Sequence, residues 1–460
     1  MGMTQSVGTL VILGASGDLS SRLLLPAVGQ LLTNHPERRF HLVGSGMEDW
    51  TDAHWRSVVK ASFATTGSTG PAVDRLLKDT RYVQADVTDP DDLARVLAAA
   101  DGAPALYFAL PPAITAKACS ALQRIDRPAG LTLALEKPFG VDKRSAIALN
   151  AQLAKLVPEE RIHRIDHFLG RSTVLNLIGL RFANSILEPL WNSDHIERVD
   201  IVYDETLGLE DRARYYDGAG ALVDMIQSHL LQVLAVLAME PPSSLDATDL
   251  RDAKATVLRA TRVWRGSPKE ASRRARYTAG EIDGRALPSY AKEPGVDPSR
   301  HTETLAELTV QIDTWRWAGV PFTLRSGKAL GTRRREIVVT FRPARHIPVG
   351  LKGTREPTKL RVMLAPDAMS LELNVNGPGD PREIERVALE AEFGPGELNA
   401  YGEVLEGILD GDPTLSVRAD TAVECWRIVA PVITEWGKDE VPLQSYRAGS
   451  EGPASWPKLG

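Results

Sequence analysis

Cysteine is nearly absent from this chain of 460 residues, which has only Cys119 and Cys425. Two thiols so far apart exclude a disulfide scaffold and any cysteine-based zinc cluster, and a reducing cytoplasm is the default location. An excess of either charge is missing too. Lys and Arg number 54 against 60 for Asp and Glu, the net charge is −6, and the two signs are interspersed. Nothing basic points to nucleic acid, so any anion site has to be built locally. Long hydrophobic runs are also lacking. Thr9–Leu13 is far too short for a signal or membrane helix and has no charged region ahead of it. The run from Leu230 to Met239 is too short to span a bilayer and reads as a core helix. What remains is an ordinary globular composition, 43% hydrophobic and 25% charged, on a chain long enough for two domains. Small-molecule chemistry fits it best.

The first part of the chain repeats one pattern of a short β-rich apolar run, a turn and a helical stretch. Strands are expected at 9–13, 40–43, 82–84, 105–110, 131–135 and 161–165. This grammar predicts an α/β Rossmann-like fold with a doubly wound parallel sheet, as a dinucleotide-binding domain over 1–170. Ligands on such sheets bind beyond the carboxyl ends of the strands. Gly14, Pro111-Pro112, Glu136-Lys137-Pro138 and Asp166-His167 all fall there. After about residue 195 the runs 196–203, 305–312, 337–341, 360–364 and 371–375 predict a larger α+β domain over 171–460 with a mainly antiparallel sheet. One long helix is expected at about 219–239, and helix again over 400–436 apart from a break at Asp412-Pro413. The charged, Gly- and Pro-rich stretch 267–300 reads as a surface excursion.

Two segments carry chemistry. Arg164-Ile165-Asp166-His167-Phe168-Leu169-Gly170-Arg171 packs an acid, an imidazole and two guanidinium groups into eight residues at a strand end. A half-buried strand edge whose Asp and His satisfy each other is the alternative. Leu13-Gly14-Ala15-Ser16-Gly17-Asp18-Leu19 follows a strand and opens a helix. Gly14 allows the tight turn, and Gly17 lets the backbone approach a pyrophosphate favoured by free amides at the helix N-terminus. The end of the second strand, Val43-Gly44-Ser45-Gly46-Met47-Glu48-Asp49, should read the adenosine ribose. A 2′-phosphate needs a cation and a free hydroxyl a carboxylate; two acids and no base stand there, unless Arg22 or Arg38 folds in. That favours NAD over NADP, with capping of a helix near Thr51 as the other use of the acids.

These motifs, in order, resemble glucose-6-phosphate dehydrogenase. The likeness rests on 14–19, Ala109-Leu110-Pro111-Pro112, Glu136-Lys137-Pro138-Phe139-Gly140, 164–170 and Asn176 to Asn184. It continues through Pro189-Leu190-Trp191-Asn192, Asp224 to Gln232, Gly319 to Phe322, Arg325 to Leu330 and Gly449 to Pro453, covering essentially the whole chain. The resemblance implies oxidation of C1 of D-glucose 6-phosphate to 6-phosphoglucono-lactone with hydride transfer to NAD or NADP, the first oxidative step of the pentose phosphate pathway.

It further implies His229 as the general base, Asp166 as the carboxylate that orients it and Lys137 beside the reacting centre. Imidazole suits the first task because its ordinary pKa lies near neutrality. Without the family, His229 on an apolar helix face would read as a core histidine. His167 and Arg171 are the implied phosphate ligands. Glu205, Asp224, Lys137 and Lys328 would hold sugar hydroxyls or charge, and Arg333 matches another substrate-side basic position, with a solvated basic face over Arg333, Arg334 and Arg335 as the alternative. On the cofactor side the set is Gly14, Ala15, Ser16, Gly17, Asp18 and Leu19, then Met47, Leu110, Pro111, Pro112, Glu136 and Lys137. Pro138 is expected as a cis bond. No metal is implied, and a cytoplasmic homodimer or homotetramer is expected.

The departures from the family lie at ligand positions. Leu23 stands where the family has a lysine, Phe168 where it has a tyrosine, Arg171 where it has a lysine, and Met47 where NADP-dependent members have the 2′-phosphate arginine. Two other readings are therefore weighed: an NAD-dependent dehydrogenase of another hexose phosphate or free sugar, and a non-catalytic paralogue.

Overall fold

The structure, a computed structural model, describes residues 7–210, 213–394 and 396–460. It contains two compact units. The first holds the strands β1 (Thr9–Leu13), β2 (His41–Gly46), β3 (Arg81–Gln84), β4 (Pro104–Phe108), β5 (Thr132–Glu136) and β6 (Ile162–Ile165), all parallel, in the order β3-β2-β1-β4-β5-β6. Helices cover both faces of this sheet, so β1 and β4 are buried at every residue and read as continuous apolar runs. Alternate side chains feed two cores. Leu10, Ile12 and Tyr107 point to one with Trp55 and Phe63, and Val11, Leu13 and Phe108 to the other with Leu133 and Leu135. The strand order reverses between β1 and β4, where doubly wound sheets bind dinucleotides.

The first unit runs from the start of the described residues to Ser172 and takes in two later segments as well. Pro242–Ala253 and Pro395–Val423 return to the first. The reason is apolar: Val404, Leu405, Ile408 and Leu409 of the helix Ala400–Asp410 complete the Trp55 core. Arg38 fixes that helix through Glu406 at 2.5 Å and Asp410 at 2.6 Å.

The second unit has an eleven-stranded mixed sheet, mostly antiparallel. Its strands are β7 (Ile196–Asp204), β8 (Thr261–Val263), β9 (Ser272–Thr278), β12 (Leu305–Ile312), β13 (Phe322–Gly327), β14 (Arg335–Phe341), β15 (Lys352–Gly353), β16 (Lys359–Leu364), β17 (Asp367–Asn376), β18 (Glu383–Glu392) and β19 (Leu443–Arg447). The hairpin β10 (Gly280–Ile282) and β11 (Arg285–Leu287) stands apart. β7 is central, parallel to β13 and antiparallel to β14. The stretch 267–300 is no surface excursion throughout, because β9 lies inside the sheet between β12 and β19. Its charge misled: Arg274 is buried, donating to the Val441 carbonyl at 2.8 Å and to Asp439 at 2.9 Å.

The long helix is interrupted. Gly220 leaves helical geometry at φ 65°, ψ 176°, after which Leu222–Leu230 runs with i→i+5 hydrogen bonds and Leu231–Ala238 as α-helix. By length and composition Tyr215–Ala238 could cross a membrane, yet 89% of its most apolar window is buried inside the protein, as a core helix requires.

Candidate active site

In the first unit the glycine turn is shaped by close approach. Gly14 has φ 86°, and a Cβ there would stand 2.4 Å from the Ala109 carbonyl oxygen, so the turn presses on the end of β4 where Leu110, Pro111 and Pro112 follow. Only glycine fits. Gly17 N–H closes the turn onto the Gly14 carbonyl at 3.0 Å, and the helical run begins at Asp18. Residues 14–17 bring backbone to a helix N-terminus at the carboxyl edge of a parallel sheet, an arrangement suited to an anionic group such as a pyrophosphate. Leu19 turns inward and packs against the Trp55 core.

At the end of β2, Met47 is 66% exposed while Glu48 points back to the turn. The Ser16 hydroxyl donates to Glu48 and holds its carboxyl below the usual range, and Tyr82 Oη stands 3.4 Å away. Helix capping is not its task, since Thr51 caps the next helix through the His54 N–H. Neither expected cation folds in. Arg38 is held by Glu406 and Asp410, and Arg22 is exposed and paired with Asp18 at 3.2 Å. A neighbouring cleft of about 440 Å³ is lined by Met47, Tyr82, Gln84 and Arg95, the last bonded to Asp92 at 2.6 Å.

At the ends of β5 and β6 stand Glu136, Lys137 and the Asp166 to Arg171 turn. Tyr107 Oη donates to Glu136 Oε1 at 2.5 Å. Burial raises the Glu136 carboxyl, against the lowering effect of Tyr107, Lys137 and Tyr401. The Lys137–Pro138 bond is cis. Asp166 is buried and accepts the Phe168 N–H at 2.9 Å, which makes it the pivot of the turn. His167 stacks on Tyr401, ring centroids 5.3 Å apart at 12°, and the Arg171 guanidinium lies 4.5 Å over the Phe168 ring. Phe168 therefore supplies a ring face to a cation where a hydroxyl had been expected from the family. Tyr107 and Tyr401 had no signal in the sequence: one reads as a strand residue, the other as part of an amphipathic helix.

In the second unit three strand ends meet. β7 leads to Glu205, β13 to Lys328, and β14 begins with Arg335, paired in register with Tyr203. Glu205 accepts from Lys328 Nζ at 2.9 Å and from Arg335 Nη2 at 3.0 Å, one cation on each oxygen. Arg335 also lies 4.4 Å over the Tyr203 ring. Arg333, the expected substrate residue, is exposed and outside this group, and Arg334 is spent on Glu336 at 2.6 Å. Alternation along β14 is the signal that separates 334 from 335. Beneath lies a buried pair, Asp204 with Arg325 at 3.0 Å, where burial pushes the Asp204 carboxyl up to about 6. The closing motif holds the lysine loop, with Gly449 N–H on the Ala329 carbonyl and Gly331 N–H on the Ser450 carbonyl, both 2.9 Å.

Asp224 and His229, 3% and 1% exposed, lie on the helix that packs against β12 and β13. Five residues on an α-helix are about 140° apart, but the wider i→i+5 winding of Leu222–Leu230 turns less per residue and narrows that angle. That irregular turn is how an acid and an imidazole at this spacing share a face. Tyr216, unforeseen in the sequence, lies beneath Lys328 Nζ at 5.3 Å and within the field of Asp224.

Residues 11–176 match the family model "Glucose-6-phosphate dehydrogenase, NAD binding domain", and 178–459 match "Glucose-6-phosphate dehydrogenase, C-terminal domain". The chain belongs to the glucose-6-phosphate dehydrogenase family. It is 38% identical to the glucose-6-phosphate 1-dehydrogenase of Gluconobacter oxydans, over 96% of this chain and 94% of that one. The crystal structure of the Mycobacterium avium glucose-6-phosphate 1-dehydrogenase superposes with a TM-score of 0.82 at 34% identity, covering 98% of this chain and 96% of the other. A glucose-6-phosphate dehydrogenase in complex with its substrate gives 0.86 at 28% identity, covering 99% and 97%. The six-stranded parallel sheet thus lies in the family's NAD binding domain, and the eleven-stranded sheet in its C-terminal domain.

Proposed function

We propose that this protein oxidises C1 of D-glucose 6-phosphate to the 6-phosphoglucono-lactone. The observation that carries the reading is the Glu205, Lys328 and Arg335 group, joined in one unit by Asp224 and His229 on one helix face. Such a set suits a polyhydroxylated substrate, since each buried hydroxyl left unpaired costs about 1–3 kcal/mol. Glu205 and Asp224 accept from sugar hydroxyls, while Lys328 and Arg335 donate. His229 takes the C1 hydroxyl proton, the task of a base titrating near neutrality. The family resemblance assigns Asp166 to orient that base and gives Lys137 a part in catalysis. His167 and Arg171 hold the phosphate, Arg171 by its fork of donors. Residues 14–19 with Leu110, Pro111 and Pro112 would hold the nicotinamide cofactor, which would supply the acceptor for the C1 hydride.

For the cofactor the reading is NAD over NADP. Glu48, held by Ser16, is placed to accept from a ribose 2′-hydroxyl, and Met47 brings no cation to a 2′-phosphate. A homodimer or homotetramer in the cytoplasm completes the reading. Its support is the outer strands of the second sheet, which expose Val375 and Leu389, and two buried cysteines outside any disulfide. Steady-state rates with glucose 6-phosphate and with glucose, each with NAD and NADP, test all of this except assembly and location. No turnover with any pair refutes the enzyme reading, and faster turnover of free glucose refutes the phosphate assignment.

A further inference from the structure

Glu303 is buried and, among the described residues, makes no ion pair. It is 6% exposed, and among the described residues no cation stands within salt-bridge distance of it. Arg274, whose charge acts on it from β9, is committed to Asp439 and the Val441 carbonyl.

What Glu303 does hold is backbone. Its Oε1 accepts the Leu222 N–H at 2.9 Å, and its own carbonyl accepts the Ala221 N–H at 3.4 Å. Leu222 opens the helical run 222–238 just beyond the break at Gly220. The first N–H groups of a helix have no acceptor within it, and an acid there also suits the helix dipole. Gly220 is matched to this arrangement. A Cβ on it would stand 2.3 Å from Glu303 Oε1 and 2.6 Å from Oε2, so the carboxylate fills the space beside the break.

The segment around Glu303 ties the helix to the sugar-side cations. Thr302 Oγ1 donates to the Asp217 carbonyl at 2.7 Å on the turn before Gly220. On the other side Lys328 N–H donates to the Thr304 carbonyl at 2.9 Å, and Thr304 Oγ1 meets Tyr446 Oη at 2.8 Å. Three successive residues therefore join the start of the helix to the Lys328 loop. Burial pushes the Glu303 carboxyl up to about 7, and an oxygen accepts from Leu222 whether the group is ionised or neutral.

We propose that Glu303 is a positioning residue, anchoring the first turn of helix 222–238 and so setting where Asp224 and His229 stand relative to Lys328. The inference rests on the sugar-site reading above. Glu303→Gln keeps the length and an acceptor oxygen but loses the charge, whereas Glu303→Asp keeps the charge and draws back by one methylene. With glucose 6-phosphate, kcat of Glu303→Gln is expected within about threefold of wild type, and that of Glu303→Asp to fall at least about tenfold, as displaced catalytic groups do. The KM for the nicotinamide cofactor should stay unchanged in both. Wild-type kcat in Glu303→Asp overturns the proposal, as does equal loss in the two variants. A wild-type protein that turns over no sugar phosphate sinks the underlying reading and this one with it.

Discussion

His163 offers a measurable link between burial and pH. It stands on β6, 1% exposed, with Nδ1 3.0 Å from Ser416 Oγ and Nε2 buried without a hydrogen-bond partner. Burial first, and then the charge of Arg251, lower the imidazole from 6.5 to about 4. The unfolded chain keeps the ordinary value, so as pH falls the unfolded state takes up a proton before the folded state does. Stability is therefore untouched above about 6.5 and declines as pH falls toward 4. At 1.36 kcal/mol per unit the full loss is about 3 kcal/mol, of which about 2 kcal/mol has accrued by pH 5. His163→Gln removes the titrating group. Denaturant titrations of wild type and variant at about pH 7 and pH 5, followed by circular dichroism, isolate this effect, because the fixed packing cost of the substitution cancels between the two pH values. The pH 7 to pH 5 loss should be smaller in the variant by about 2 kcal/mol. Equal losses in the two proteins would refute the reasoning.

Substitutions at the site should divide by role. His229→Asn is expected to lower kcat at least about a hundredfold while calorimetry still records sugar-phosphate binding; lost binding would mark His229 as structural. Arg335→Met should raise KM for glucose 6-phosphate about tenfold or more, the size of a lost hydrogen bond to a charged group, with cofactor KM unchanged. Met47→Arg should raise NADP use relative to NAD by about tenfold through a charged contact to the 2′-phosphate, and an unchanged ratio would show that the ribose is read elsewhere.

The first sheet was legible because its central strands β1 and β4 are buried on both faces and announce themselves as apolar runs between turns. The second sheet was legible only where strands alternate. β9 hid because three of its seven residues are arginines, and the partners that satisfy Arg274 lie far along the chain, just ahead of β19. Arg335 hid among three successive arginines, where only pairing with β7 shows which one meets Glu205. Glu48 was visible as an acid, but its bond to Ser16 depends on how the glycine turn folds back over β2. Glu303 gave no signal at all. Its meaning comes from a helix break more than eighty residues earlier in the chain.

The return of Pro395–Val423 to the first unit bears on how the protein is made. A ribosome releases all six strands of the first sheet long before Val404, Leu405, Ile408 and Leu409 emerge, so that sheet waits with one face unfinished beside Val28, Leu31 and Trp55. The nascent chain must carry this open apolar surface through the synthesis of more than two hundred further residues. The order of the segments thus leaves this sheet unfinished until late in synthesis, and a gene fragment ending after β6 encodes it without the helix Ala400–Asp410.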